Sequence, residues 1–160
     1  MKIYFSVDPE VSGGESDVNL RKLMTFLQDE GHKLYRAEYV FATDPDLFLQ
    51  KELGLNRKPT FREQREVHIK WIDESDLLLA EISAPSEGRS MVIQRAIDKP
   101  RMGLPYTPII IIKGKKFDRR IGKIVRGLIE SGEVVYYEYD KLEEVIENWP
   151  KLLKQSSSKT

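Results

Sequence analysis

The chain has 160 residues, 40% of them hydrophobic and 32% charged, with 26 basic residues balanced by 26 acidic ones. That length suits one domain with a real core, and the balanced charge argues against a general nucleic-acid binder. With no cysteine and only two separated histidines, disulfides, thiolate catalysis and Cys-ligated metal are excluded, a His-based metal site is not expected, and nothing calls for a cofactor. No apolar run approaches ~18 residues and no signal-peptide pattern opens the chain, so the expected setting is cytoplasmic, away from membranes.

In chain order, Lys2–Val7 is rich in aromatic and β-branched residues and reads as a first strand. Asp8–Ser16 reads as a loop in which Gly13 and Gly14 permit a positive φ. A loop in that place lies where doubly wound sheets receive ligands. Leu20, Leu23, Met24 and Leu27 form one stripe of a helix over 17–30, closed by Gly31. Lys33–Val40 reads as a second strand. Phe41–Pro59 is a lid candidate or a plain surface excursion, with a short helix over 46–53. Thr60 and Glu63 make a capping box for a helix to Glu74, on which Phe61, Arg65, His68, Trp71, Ile72 and Ser75 share a face.

Asp76–Ser83 is a short apolar run of the kind buried on both faces of a parallel sheet. A turn follows, with Pro85, Gly88 and the serines Ser83, Ser86 and Ser90, and then a helix carrying Met91, Val92, Ile93, Ala96 and Ile97. Strand, small-residue loop and helix is a geometry that offers backbone N–H groups to an anion, although many such connections use Ser and Gly only as turn and cap residues. Thr107–Lys113, with isoleucine at each position of 109–112, is the clearest buried strand. Asp118 caps a helix through Ile129, Val134–Tyr139 is the last strand, and a final helix from Asp140 passes Pro150, where a kink is expected. Residues 1–154 read as one domain and 155–160 as a disordered Ser-rich tail. Five strands alternating with helices predict an α/β protein of three layers, its parallel sheet in the flavodoxin-like order 2-1-3-4-5.

Ala80-Glu-Ile-Ser-Ala-Pro-Ser-Glu-Gly88 followed by Arg95-Ala96 resembles the signature of the nucleoside 2-deoxyribosyltransferase family, and within it most nearly the 2'-deoxynucleoside 5'-phosphate N-hydrolases. The resemblance covers roughly 2–127 and implies the same fold. It implies that Ser86 and Gly88 hold a 5'-phosphate, with Ser83 and Ser90 beside them. It also implies that Tyr4 matches a catalytic-site tyrosine, Gly13-Gly14 match a glycine pair, and the protein is a homodimer. Besides a missing Gly and Arg in the first loop and Gly122 in place of a Ser, three positions depart from the pattern near the expected chemistry. Ser90 replaces its second glycine, His68 stands where the family carries an active-site Asp, and Val92 stands at the nucleophilic Glu.

Cleavage of an N-glycosidic bond needs a carboxylate to trap the oxocarbenium-like sugar, and Val92 has no nucleophilic atom. His68 is an acid/base candidate or a wall residue, Tyr4 a ligand contact or a core aromatic. Glu87 is the candidate for a relocated nucleophile. Lys113, Lys115, Lys116, Arg119, Arg120 and Lys123 are placed to meet a phosphate or to form a solvated turn. Three functions stay open: binding of a nucleoside monophosphate or related small molecule with the chemistry lost or altered, an active N-glycosidase with relocated residues, or an interaction module with no ligand.

Overall fold

Side-chain alternation along the first strand sorts the whole molecule into layers. In the computed structural model, which describes residues 1–7, 14–84, 86–117 and 121–158 apart from the side chains of 14–16 and 87, five strands form one sheet. They are β1 (Lys2–Ser6), β2 (Lys33–Tyr35), β3 (Leu77–Glu81), β4 (Ile109–Gly114) and β5 (Val135–Tyr139), all parallel in the order β2-β1-β3-β4-β5. The expected α/β architecture and strand order are both present.

Because successive strand residues face opposite sides, Ile3, Phe5, Leu77, Leu79, Ile110 and Ile112 enter one core and Tyr4, Leu78, Ala80, Ile109 and Ile111 the other. The first core is closed by α1 (Gly14–Asp29), α7 (Glu143–Glu147) and α8 (Trp149–Ser157). The second lies under α3 (Pro45–Glu52), α4 (Phe61–Asp73), α5 (Glu87–Asp98) and α6 (Lys123–Glu130). β3 and β4 are buried along their whole length. Full burial of each Leu or Ile side chain is worth about 1.5–3 kcal/mol, so this pair of strands is the main anchor of the fold.

Several expectations are corrected. The second strand stops at Tyr35, because Arg36 takes the left-handed conformation (φ 72°) and turns the chain into a short helix, α2 (Ala37–Val40). The capping box of α4 is complete, with Thr60 Oγ1 accepting from the Glu63 N–H and the Glu63 carboxylate accepting from the Thr60 N–H. The buried face of α4, however, is Val67, Trp71 and Ile72, while Phe61 is 89% exposed. The helix after β3 starts at Glu87, four residues earlier than its apolar stripe suggested. The final helix is two helices: Asn148 closes α7, and Pro150 sits in the first turn of α8, where its missing N–H costs nothing. The expected disordered tail is instead helical through Ser157, with Ser156 buried and its hydroxyl donating to Leu153 O. The expected cap at Asp118 lies outside the described residues; the N-cap of α6 is Gly122. Among the described residues no helix is long and apolar enough to cross a membrane.

Candidate functional site

The strand order reverses between β1 and β3, and open α/β sheets bind ligands outside the strand ends at such a point. A cleft of about 1070 Å³ opens there, between the carboxyl end of β1, the start of α5, the inner face of α4 and part of α6. Neither Arg89 nor Met91 fills it, although both contribute to its wall. Among its described lining residues, Arg36, Arg65, Arg89, Arg95 and Lys123 stand against a single carboxylate, Asp98. A protein with no net charge therefore concentrates positive charge along this cleft.

One wall is the first turn of α5. Ser86 is the N-cap, in extended backbone geometry (φ −155°, ψ 117°), yet its hydroxyl makes no capping hydrogen bond. That leaves its side chain uncommitted at the positive end of a helix, where free N–H groups also point outward. Gly88 and Ser90 are exposed on the same turn, and a Cβ at Gly88 would meet nothing within 4 Å. Arg89, on the buried side, donates to Ala84 O at 2.7 Å and ties the loop to the helix. A smaller adjoining cavity of about 120 Å³ brings Lys113 and Gly122 to Ser86 and Ser90. Such a helix start, with hydroxyls and a lysine beside it, has the chemistry that suits an anion. Lys113 pairs with Glu138 at 3.7 Å and Lys115 with Asp140 at 2.7 Å, and Arg119 and Arg120 lie outside the described residues.

Facing this helix start are Tyr4 and His68. Tyr4 is 1% exposed, and its hydroxyl lies 3.1 Å from Nδ1 of His68. Burial pushes the Tyr4 hydroxyl up to about 12 and is the larger cause holding His68 down to about 4, with the Arg36 charge reinforcing the second shift. Both groups are neutral at pH 7. The His68 ring packs edge-on against Tyr39 (5.1 Å between centroids) and Trp71 (5.3 Å), which fixes its orientation. Val92 is half-buried on the same cleft and offers it only methyl groups.

Ser83 does not join this group. Its hydroxyl donates to Glu81, its N–H donates to the same carboxylate oxygen at 3.0 Å, and its oxygen accepts from the Gly114 N–H at 2.8 Å. Ser83 and Glu81 instead line a separate cavity of about 300 Å³ with Tyr139, so the expected ligand contact at Ser83 is a contact within the protein. Gly14 is the first residue of α1; Gly13 and the Glu87 side chain lie outside the described residues. Among the described residues no cluster of metal-ligand type is present.

Sequence reading missed Arg36. Flanked by Leu34, Tyr35, Ala37, Tyr39 and Val40, it looked like one polar interruption of a strand. Its guanidinium donates to Val7 O at 2.6 Å and lines the cleft.

Fold and cleft together define an α/β protein of flavodoxin-like strand order with a cationic pocket at its switch point. No family model matches the chain. In sequence it is similar to the 5-hydroxymethyl-dUMP N-hydrolase of Tetraodon nigroviridis, 24% identical over 155 residues, which is 93% of this chain and 96% of that protein. In structure it is similar to the CMP N-glycosidase BcmB of Clostridium botulinum (TM-score 0.63, 16% identity, 94% of this chain and 98% of that one). It also resembles a conserved protein from Enterococcus faecalis V583 (TM-score 0.50, 17% identity, 100% and 99% of the two chains). The near-complete coverage, added to the Ala80–Gly88 and Arg95-Ala96 motif, supports the resemblance to the nucleoside 2-deoxyribosyltransferase-like family.

Proposed function

We propose that this protein binds a nucleoside 5'-monophosphate in the switch-point cleft and has lost the covalent route by which its relatives open the glycosidic bond. The phosphate sits on the first turn of α5 against Ser86, Gly88 and Ser90, and the sugar and base extend toward Tyr4 and His68. The observation that carries this reading is the uncommitted Ser86 hydroxyl at the start of α5, set on the same cleft as the apolar Val92. An anion is favoured at one point, and at the family's nucleophile position there is no group to trap a sugar cation. Two similar proteins are named for chemistry on nucleoside monophosphates, which supports the ligand class.

Titration with dUMP and CMP followed by amide shifts tests the binding half. Perturbation centred on 83–90 is expected, and none at millimolar ligand overturns it. Chromatography for free base tests the chemical half: prompt release of uracil or cytosine would show that a trapping group exists elsewhere. The names of the two similar proteins favour that second reading, an active N-glycosidase, and a Glu87→Gln variant then reports whether Glu87 is the group. An interaction module without a ligand is disfavoured by the open cleft.

A homodimer through the face beside the cleft accompanies this proposal. Met91 is 66% and Ile124 79% exposed there, on α5 and α6, and α6 has no fully buried residue. Sedimentation of wild type and Ile124→Glu tests it, a dimer dissociated by the charge being the expected result and a wild-type monomer the opposing one.

A further inference from the structure

Arg36 leaves the sheet at the carboxyl end of β2, next to Tyr35, which pairs in register with Tyr4. It is clamped twice, by a backbone turned through φ 72° and by the hydrogen bond from its guanidinium to Val7 O at 2.6 Å. One of its five N–H donors is thereby used. The guanidinium is half-buried, no ion pair among the described residues reaches it, and its neighbours Tyr4 and His68 are uncharged at pH 7. Of the other cleft cations, Arg95 is neutralised by Asp73 through two hydrogen bonds and Arg89 is folded onto Ala84 O. Arg65 and Lys123 lie on the α4 and α6 walls, and Arg36 alone adjoins both Tyr4 and β2. A half-buried guanidinium held rigid without a counter-charge gains most from a planar anion, which it receives with two parallel N–H bonds.

We propose that Arg36 is a second anion subsite, and that the ligand of this cleft is a nucleotide carrying an acidic group on its base in addition to its 5'-phosphate. The inference rests on the nucleotide reading given above. If the phosphate takes the start of α5, the base is the part of the ligand left to meet Arg36, and an acidic base satisfies a charge that an ordinary one leaves unpaired. The charge at this end is the reverse of what a sugar-cation trap needs, which agrees with His68 and Val92 standing where carboxylates are expected.

Calorimetric titration of the full chain with dUMP, 5-carboxy-dUMP, UMP, orotidine 5'-monophosphate and inorganic phosphate tests it. At least one carboxylated nucleotide should bind about tenfold or more tighter than its parent, and Arg36→Gln should bring that ratio close to one while changing the parent's Kd by no more than about twofold. Parents that bind as tightly as both carboxylated forms overturn the Arg36 subsite and leave the nucleotide site standing. A preference that survives in Arg36→Gln also overturns it. Failure of all four nucleotides to bind overturns the nucleotide site and this subsite together. The wild-type comparison needs no variant, so it decides the matter even if Arg36→Gln does not fold.

Discussion

The Tyr4 hydroxyl and Nδ1 of His68, 64 positions apart in the chain, meet at 3.1 Å on the floor of the cleft. With Tyr4 donating, the ring proton stays on Nε2. Burial, and to a smaller extent the charge of Arg36, holds His68 down to about 4 from its ordinary 6.5. The unfolded chain therefore binds a proton on this residue between about pH 6.5 and 4 that the folded chain refuses, and stability falls as pH drops through that window. Melting temperatures measured from pH 7 to 4 should decline, and His68→Asn should decline less steeply. Parallel curves for the two proteins contradict the assignment.

Val92 lies on the cleft wall. On the proposed function, a carboxylate placed there supplies the nucleophile. Val92→Glu should release free base from dUMP or CMP at least about tenfold faster than wild type, since a nucleophile is worth several orders of magnitude when well placed. Chromatography of the products reads this directly. Equal rates would mean that Tyr4, His68 and Arg36 no longer accept a sugar in reactive geometry.

The start of α5 separates binding from stability. An N-cap Ser→Ala exchange commonly costs about 1 kcal/mol, but Ser86 makes no capping bond, so Ser86→Ala should leave the melting temperature nearly unchanged. Its Kd for a nucleoside monophosphate should rise about threefold to tenfold, as one hydrogen bond to a charged group is lost. At Gly88 an added Cβ meets nothing within 4 Å, so Gly88→Asp should fold and yet repel the phosphate, with binding lost in the same titration.

Lys99 is 1% exposed, and its ammonium donates to Ile72 O, Ser75 O and Thr107 Oγ1, tying the end of α4 to the segment entering β4. Lys99→Met keeps the volume but removes the three hydrogen bonds of a buried cation, leaving Ile72 O with the Ser75 hydroxyl and Ser75 O with the Thr107 hydroxyl as remaining side-chain donors. Unfolding in urea should show a loss of about 2–4 kcal/mol. A loss under about 0.5 kcal/mol would mean that water replaces the ammonium.

Arg36 has the sole positive φ among the described non-glycine residues. A side chain in the left-handed region costs about 1–2 kcal/mol relative to glycine. Arg36→Gly should accordingly be more stable than Arg36→Ala by about 1 kcal/mol in denaturant melts, and both should lose any preference for a carboxylated nucleotide. Equal stability of the two would show that the turn out of β2 is relaxed.

Element type was largely readable along the chain because local signals and the tertiary fold agree. The isoleucine run at 109–112, the Thr60–Glu63 capping box and the stripe of Leu20, Leu23 and Leu27 each appear as structure in the expected place. The misreadings share a cause. Arg36, Phe61, Pro150 and Ser156 were assigned from residue type, while their conformation or burial depends on which neighbours arrive from elsewhere in the fold. Ser83 is the sharpest example: the resemblance puts it beside Ser86 at the ligand, but Glu81 and Gly114 hold its hydroxyl.

The amino-acid order alone determined the strand sequence and the parallel sheet, since these follow from apolar periodicity, and it puts a side chain without a nucleophilic atom at Val92. Only the tertiary structure decided what charge stands beside Tyr4 and His68 in the cleft. That charge comes from Arg36, brought beside Tyr4 and His68 by a backbone turn at the end of β2, and no spacing rule relates residues 4, 36 and 68. Long-range strand pairing sets those distances, and it is invisible in any local window of the chain.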